Sequence, residues 1–575
     1  MQAWCLSINE EKFSLRVGGL SGRFHLYGIP TFHKVVVMHA ILTGFLMVCV
    51  LSTTLWAQEG GFDDPLLVQA VQAQSVRDYA KSQALFEEYI KDLSEEEQVL
   101  YRDLAQVAFP EDLEIYRDAD TEKRTELINR FWRRLDPSPL TKANERLIEH
   151  YRRVAYARRY YGQGQFPWDD RGEVYVRFGK PDHTSKSGDI QNEMDREIQD
   201  ARQNYVNRRR IALRIRPGQP IFPVPAMSWW EYWVYADLEG GTEFDFVRRG
   251  KGNRYDFAPM PEGLSLSLTT DLLAYQSEVV LRQVAAHQPS VYDADIAELP
   301  VDFYYFPAGF RGEDGATRLE IYYGLPAEEM ARLPIDEKTD RVMLDRGLAM
   351  FDSLWTEVYR VQDQLTFQAP SDQQVLDGAF IPGVLAFEVD AGLHYLSFQV
   401  RDVVSGKSQV YQQALSVADF SQYEDLLMSD IALAFFVGPS DERGPFQKRG
   451  LKIIPMASKA FRPDQNAFVY FEVYNLKRDE FGRTRYRVDY SFRPQEKGLA
   501  PIRALRGLGR MLRLQEKRRE VVISYEQSGD TPEDMAYVEL DLKDAEPGGQ
   551  EVRVKVTDLL ADRDVKKEIA FKIVP

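Results

Sequence analysis

Phe131-Trp132-Arg133-Arg134-Leu135-Asp136-Pro137-Ser138-Pro139, continued through Thr141, Asn144-Glu145 and Tyr151-Arg152-Arg153-Val154-Ala155-Tyr156-Ala157 to Asp170-Arg171-Gly172-Glu173-Val174-Tyr175-Val176-Arg177-Phe178-Gly179-Lys180-Pro181-Asp182, is the stretch from which the fold is read. Leu127, Ile128, Phe131, Trp132 and Leu135 fall on one helical face. Asp136-Pro137-Ser138-Pro139 stops that helix, because each proline removes a donor and biases the residue before it away from αR. Thr141 is placed to cap a second helix carrying Leu147, Tyr151, Val154 and Tyr161, which Gly162 and Gly164 end. Val174, Val176 and Phe178 alternate with Tyr175 and Arg177, which predicts a half-buried strand closed by a turn at Gly179-Lys180-Pro181-Asp182. Asp170-Arg171-Gly172 is expected to position the start of that strand, with Arg171 as a fork donor to carbonyls or carboxylates.

Working outward, Asp63-Asp64-Pro65 reads as a helix start and Ser94-Glu95-Glu96-Glu97 as a capping box, so residues 62–110 form a helical lead-in. Met194, Ile198, Ala201 and Tyr205 make a thin helical stripe, and Pro217, Pro220, Pro223 and Pro225 stiffen the return path. Trp229 to Tyr235 and Phe244 to Val247 read as two strands joined at Glu239-Gly240-Gly241-Thr242. Helices followed by a small antiparallel meander make residues 111–262 an α+β domain.

From residue 295 the pattern is almost all β and contains a repeat. Gly392, Leu396, Phe398, Val400 and Asp402 superpose on Gly548, Val552, Val554, Val556 and Asp558 at a constant offset of 156 residues. Two immunoglobulin-like β-sandwiches, 295–420 and 425–575, follow from it. The expected whole is a multidomain α+β and all-β chain: leader 1–57, lead-in 62–110, α+β domain 111–262 and the two sandwiches.

The helices and strand of the opening stretch resemble the GWxTD-domain family of bacterial envelope proteins. The family pattern is Gly-Trp-x-Thr-Asp-Arg-Gly; here Pro167-Trp168-Asp169-Asp170-Arg171-Gly172 lacks the Gly, has Asp169 for Thr and sets Trp168 one residue closer to Arg171. The likeness continues through Trp230-Glu231-Tyr232-Trp233 and Phe244-Asp245-Phe246-Val247. What the resemblance implies is an exported, multidomain protein with no assigned reaction.

At 575 residues, 44% hydrophobic and 28% charged, the chain is too long for one core and too apolar for long disorder. Lys34, the apolar run Val35 to Leu51, then Ser52-Thr53-Thr54-Leu55-Trp56-Ala57 is the grammar of a secretory signal, predicting cleavage after Ala57 and residence in the periplasm or cell envelope. An uncleaved inner-membrane anchor is the alternative that the length of the run leaves open. Cys5 and Cys49 both lie in this leader, so the processed chain has no thiol for catalysis, disulfides or zinc. Net charge is −17, yet arginines crowd 133–159 and 208–216; in an exported protein these suit a solvated face or a contact with an acidic domain or lipid surface and not a nucleic acid.

Motifs for chemistry are sparse. Outside the leader the histidines are His150, His183, His287 and His394, with no paired metal spacing; Gly406-Lys407-Ser408 lacks the rest of a phosphate loop, and no Gly-x-Ser-x-Gly elbow occurs. No catalytic, metal or cofactor residue is assigned. Asp169, Asp170, Asp182 and Glu231 are the carboxylates available to a glycan or peptide hydrolase, and Trp229, Trp230, Tyr232, Trp233 and Tyr235 read as a strand buried on both faces or as a sugar platform. Trp132, Asp136, Pro137, Asn144, Glu145, Trp168, Asp170, Arg171, Gly172, Gly179, Pro181 and Asp182 are singled out as structural or binding residues. Ile502 to Leu514, with Arg503, Arg506, Arg510 and Arg513 among apolar residues, is the candidate for a partner or membrane-surface contact. The expected function is a noncatalytic envelope protein acting through contacts with other envelope proteins; the alternative is an envelope hydrolase using carboxylates.

Overall fold

The computed structural model describes residues 5–9, 12–17, 20–25, 62–163, 165–208, 229–248, 250, 252–259, 276–292, 300–313, 316–336, 338–370, 379–422, 424–494, 515–517, 520–543, 545 and 547–575. The apolar run 35–51 and the expected cleavage point at Ala57, the proline series 217–225 and Ile502–Leu514 lie outside them. The chain is mixed α+β, with a helical N-terminal region and mostly antiparallel sheets. It divides into two compact units, one of residues 1–115 with 147–292 and one of 116–146 with 293–575. Among the described residues no helix is long and apolar enough to cross a membrane.

In the first unit β1 (Cys5–Asn9), β2 (Lys12–Val17) and β3 (Leu20–His25) form a meander. Helices α1 (Pro65–Ser75), α2 (Tyr79–Lys91) and α3 (Glu95–Arg102) start on Asp64, Asp78 and Ser94, whose side chains accept orphan amides. α4 (Pro110–Asp118) runs across the boundary into the second unit, which holds α5 (Thr121–Arg134); α5 stops at Leu135, ahead of Pro137 and Pro139, and the chain re-enters the first unit at Leu147. α6 (Glu145–Tyr161) and α7 (Asp170–Phe178) lead into β4 (His183–Lys186), α8 (Arg196–Arg208), β5 (Trp229–Tyr235), β6 (Thr242–Arg248), β7 (Tyr255–Phe257) and α9 (Ser277–His287). The four strands pair in the order β4-β5-β6-β7. Val174 and Phe178 of α7, Tyr205 of α8, Trp233 of β5, Phe244 of β6 and Val280 of α9 share one core.

The stretch expected as a strand, Val174 to Phe178, is the second half of helix α7. Alternation misled because Arg171, Gly172, Val174, Tyr175, Val176 and Phe178 are all buried, so the apolar pattern carries no period. Local chemistry favours the helix: Asp169 accepts the Arg171 amide, Asp170 and Glu173 sit in the first turn against the helix dipole, and Gly179, at φ 79°, ends it. Thr141 is not the cap of α6; its hydroxyl donates to Ala143 O at 3.0 Å and Glu145 Oε1 at 3.2 Å. Met194 precedes α8 and is 87% exposed, so the stripe begins later, at Ala201 and Tyr205.

The second unit contains two successive pairs of sheets. β8 (Tyr304–Arg311), β9 (Thr317–Pro326) and β13 (Phe380–Val389) face β10 (Leu333–Pro334), β11 (Thr339–Phe351), β12 (Glu357–Pro370), β14 (Gly392–Asp402) and β15 (Ser408–Val417) across one core that includes Ile321, Phe387, Leu348 and Phe398. The next pair sets β16 (Leu427–Met428), β17 (Ala432–Pro439), β18 (Gln447–Lys448), β19 (Leu451–Pro455), β21 (Ala467–Tyr474) and β25 (Asp534–Leu540) against β20 (Ala460–Phe461), β22 (Thr484–Pro494), β23 (Gln515–Lys517), β24 (Glu520–Gly529), β26 (Gly548–Asp558) and β27 (Arg563–Ile573).

The sequence repeat has a physical counterpart at the ends of β14 and β26. Gly392 and Gly548 open the two strands at φ 132° and 147°, a region that favours glycine. Asp402 Oδ1 then accepts the Val404 and Ser405 amides, and Asp558 Oδ1 those of Leu560 and Ala561. The other oxygen of each reaches a distant amide, Ala331 at 2.6 Å and Lys477 at 2.8 Å. Each aspartate thus builds a hairpin turn and ties it to another segment. Between the two sheet pairs, Lys448 sits 2.8 Å from the Phe310 ring centroid and bridges the buried Glu320 and Glu472 at 3.1 and 3.2 Å. That pairing is what allows three charges inside an apolar seam formed by Phe306, Ala432, Ile453 and Tyr470.

Candidate functional site

The residues singled out from the sequence fall into two clusters, one in each unit. Trp168, Asp170, Arg171, Gly172, Gly179, Pro181 and Asp182 belong to the first; Trp132, Asp136, Pro137, Asn144 and Glu145 belong to the second.

In the first cluster, the start of α7 is tied to β7 by two carboxylates. Asp169 Oδ1 accepts the Arg171 amide at 3.1 Å, while its Oδ2 accepts the Tyr255 amide at 2.9 Å and Arg171 Nη2 at 2.7 Å. Asp170 Oδ2 accepts the Phe257 amide at 2.5 Å. Burial pushes the Asp170 carboxyl above its ordinary range, and the Phe257 amide opposes that rise. Arg171 spans Asp169 and Glu231, donating from Nη1 to Glu231 Oε2 at 3.0 Å, and its guanidinium lies 4.0 Å from the Tyr255 ring and 5.0 Å from the Tyr161 ring. Burial disfavours its charge, but the two carboxylates outweigh it and hold the guanidinium protonated. Glu231 is held from its other side by Trp233 Nε1 at 2.7 Å. Trp168 is buried against Gly172, where an added Cβ would lie 2.3 Å from the indole Cγ.

At the far end of α7, Gly179 admits Arg153, whose Nη2 would stand 2.8 Å from a Cβ there. Arg153 Nη1 donates to the carbonyls of Arg177 and Val291 at 3.0 and 2.8 Å, and its Nε to Glu149 at 2.7 Å. Pro181 turns the chain into β4, and Asp182 Oδ2 accepts the Ala236 amide at 2.6 Å. His183 lies 3.3 Å from the Tyr232 hydroxyl, on a cluster with Glu193 and Arg202, and not with Asp169 or Asp170. Among the described residues no group of His, Cys, Asp or Glu is placed to hold a metal.

These elements enclose a cleft of about 1010 Å³ that sequence reasoning missed. Its lining includes Tyr156, Tyr161, Tyr175 and Trp233, with Glu149, Arg152, Asp182 and Glu231 among them. Burial alone would raise Glu149, but Arg152 and Arg153 hold its carboxylate well below the usual range. Burial moves the Tyr156 hydroxyl up to about 12. Of the four carboxylates available to a hydrolase, Asp182 and Glu231 reach this cleft; Asp169 and Asp170 are engaged beside it. The aromatic strand splits in the same way: Trp233 and Tyr235 are core, whereas Trp229 is 48% exposed beneath Arg248.

The second cluster is a strap, residues 135–144, lying on the sheet of β11, β12, β14 and β15. Prolines 137 and 139 remove its own donors, and the sheet supplies them: Gln412 to Asp136 O at 2.9 Å, Gln362 to Pro139 O at 2.9 Å, and Arg360 to Pro139 O and Thr141 O at 3.2 and 2.9 Å. Ser138 donates to Gln399 at 2.7 Å, and Gly347 makes room for Pro139, whose carbonyl carbon would lie 2.8 Å from a Cβ. Asn144 donates to Trp132 O at 2.5 Å, closing the strap on α5. Asp136 Oδ1 accepts the Ser138 amide at 3.3 Å and Glu145 Oε1 the Thr141 hydroxyl at 3.2 Å, and the two acids are electrostatic neighbours. Burial and then the Glu145 charge push Asp136 well above the ordinary range, and burial raises Glu145 as well. Beside them a cavity of about 220 Å³ is walled by Trp355 and Tyr395, stacked at 4.3 Å.

No protein-family model matches the chain. No curated protein matches it either. Among solved structures, trypsin-activated alpha-2-macroglobulin from Escherichia coli aligns at 12% identity over 60% of this chain and 19% of its own, with a TM-score of 0.15. The elastase-activated form aligns at 10% over 60% and 26%, TM-score 0.13. The structure of manganese lipoxygenase of Gaeumannomyces graminis with part of zonadhesin of Komagataella pastoris aligns at 11% over 48% and 94%, TM-score 0.13. This chain spans about a fifth to a quarter of the macroglobulin chains, and at such TM-scores none of the three bears on fold or function.

Proposed function

We propose that this chain is a noncatalytic, exported envelope protein of the GWxTD type, in which a helical lead-in and an α+β module precede two immunoglobulin-like β-sandwiches and the whole acts by contact with other envelope proteins. The observation that carries this reading is the engagement of the carboxylates. Asp169 and Asp170 fasten α7 to β7 through backbone amides, and Glu231 is clasped between Arg171 and Trp233. A general acid or base must be able to reach and exchange a proton with substrate, and groups fixed in this way are poor candidates. Export rests on the leader sequence, and a membrane-surface contact on the arginines of 502–514.

The competing reading, a glycan or peptide hydrolase, draws on Asp182 and Glu231 lining one cleft. Cross-linking in intact cells of the native host separates the two. A contact protein yields specific envelope partners, and its purified form turns over no wall or matrix polymer. Polymer turnover by the purified chain would reverse the choice.

A further inference from the structure

In the second unit we infer that β12 is a self-association edge: it pairs antiparallel with β12 of a second copy of this chain, joining the two sheets edge to edge. β12 pairs with β11 on one side, and among the described residues no strand pairs with its other side. An unpaired edge holds a row of amides and carbonyls that another strand can take. Exposure agrees with an open edge: Gln362, Asp363 and Gln364 are exposed in succession, where an inner strand would alternate.

Other edges of this unit carry protections that β12 lacks. β16, β18 and β20 have two residues each, β8 and β13 contain Pro307 and Pro382, and β27 carries Lys566, Lys567 and Lys572. β12 runs for 14 residues with its only proline at the end, and its register with β11 is regular from Tyr359 onward. Its charges are matched within the chain, Glu357 by Arg360 at 2.7 Å and Asp363 by Arg346, which donates from Nε at 2.8 Å. β15, the opposite edge of the same sheet, is uncharged and offers a partner nothing to fix a register.

The side chains select a second copy as the occupant. Tyr359, Val361, Leu365 and Phe367 face the core and are only partly buried, while Arg360, Gln362, Gln364 and Thr366 lie on the other face. Antiparallel pairing about a two-fold axis at Asp363 sets Val361 opposite Leu365 of the second copy and Tyr359 opposite Phe367, so apolar meets apolar. On the other face the same register sets Gln362 opposite Gln364 and Arg360 opposite Thr366. At the axis the two Asp363 carboxylates meet, each with its own Arg346, so two charges of each sign share the centre. An axis at Gln362 would instead place Val361 against Asp363, and one at Gln364 would place Asp363 against Leu365. Of the three, the Asp363 register alone keeps the apolar row together.

The test is sedimentation equilibrium of the purified full chain over a range of concentrations, with hydrogen exchange as a second readout. Thr366 is exposed and faces Arg360 of the second copy in this register. We expect a reversible monomer–dimer equilibrium whose dissociation constant rises by about tenfold in Thr366→Lys, where two lysines face two arginines, and falls in Thr366→Glu. Amide exchange at 359–367 should slow with concentration in the parent and stay fast in Thr366→Lys, and thermal unfolding confirms that both variants are folded. A parent that stays monomeric throughout the micromolar range would leave the edge to a strand of another protein and overturn the inference. So would a dimer that ignores both substitutions, or one that leaves exchange at 359–367 unchanged. Because the purified chain alone is used, this outcome is independent of the cross-linking to other envelope proteins.

Discussion

Around Arg171 every carboxylate meets a donor: Asp169 takes two amides and a guanidinium, Asp170 an amide, and Glu231 an arginine and an indole. Around Asp136 a second acid, Glu145, is the electrostatic neighbour, and the donors of the neighbouring sheet go to backbone carbonyls. Both halves of the stretch from Phe131 to Asp182 are ties, but they are made with opposite electrostatics. The first joins acids to a guanidinium and to amides and the second sets two acids beside each other, so mutation and pH should act on them differently.

The largest effect is expected at Arg171. Arg171→Ala leaves Asp169 and Glu231 buried without their cation and should destabilise the first unit by on the order of 3–5 kcal/mol, read by denaturant unfolding. An unchanged transition would mean that the cluster is a surface site. Next, Gly172→Ala and Gly347→Ala place a Cβ against Trp168 and against the Pro139 backbone, and each should cost about 1–3 kcal/mol. Hydrogen exchange distinguishes them: the first should loosen α7 and the second the strap at 135–144.

The pH response has opposite sign in the two halves. Asp136 is raised, so its folded state binds the proton more tightly than the unfolded chain does; the associated stability is complete below about pH 4 and is lost as pH rises toward the folded value. Glu149 is lowered, so its contribution is full above about pH 4.5 and is lost progressively as pH falls below that toward the folded value. Asp136→Asn removes the titrating group and should stabilise the strap at pH 8 by on the order of 1–2 kcal/mol, flattening its dependence above pH 5. Exchange protection at 136–145 that is the same in parent and variant at pH 5 and at pH 8 would contradict the raised Asp136 carboxyl. The smallest effect is a null: if the chain is cut after Ala57 as proposed, the product lacks Cys5 and Cys49 and should unfold identically with and without reductant.

The sequence was readable where one residue fixes one local geometry. Asp64 and Ser94 as caps, the proline stop after Leu135, and the Gly392 and Gly548 repeat each have a local cause and appear in the structure. Helix α7 was misread because burial on all sides erased its period, and the cap at Asp169 was the signal that would have corrected it. The division of the opening stretch between two units, and the cleft of Tyr156, Tyr161 and Trp233, depend on segments far apart in sequence. Local pattern carries no distance between such segments. The Asp136 and Glu145 pair lies nine residues apart across a proline break, which gave no hint that the two acids would be neighbours.

The most direct test of the central claim, that these carboxylates are ties and not catalysts, is a paired measurement on Asp169→Asn, Asp170→Asn, Asp182→Asn and Glu231→Gln: thermal unfolding of each purified variant, set against its cross-linking and cellular phenotype in the native host. The account predicts that loss of partner capture and phenotype follows loss of Tm from variant to variant. A variant with the parent's Tm that abolishes turnover of a wall or matrix polymer would contradict it.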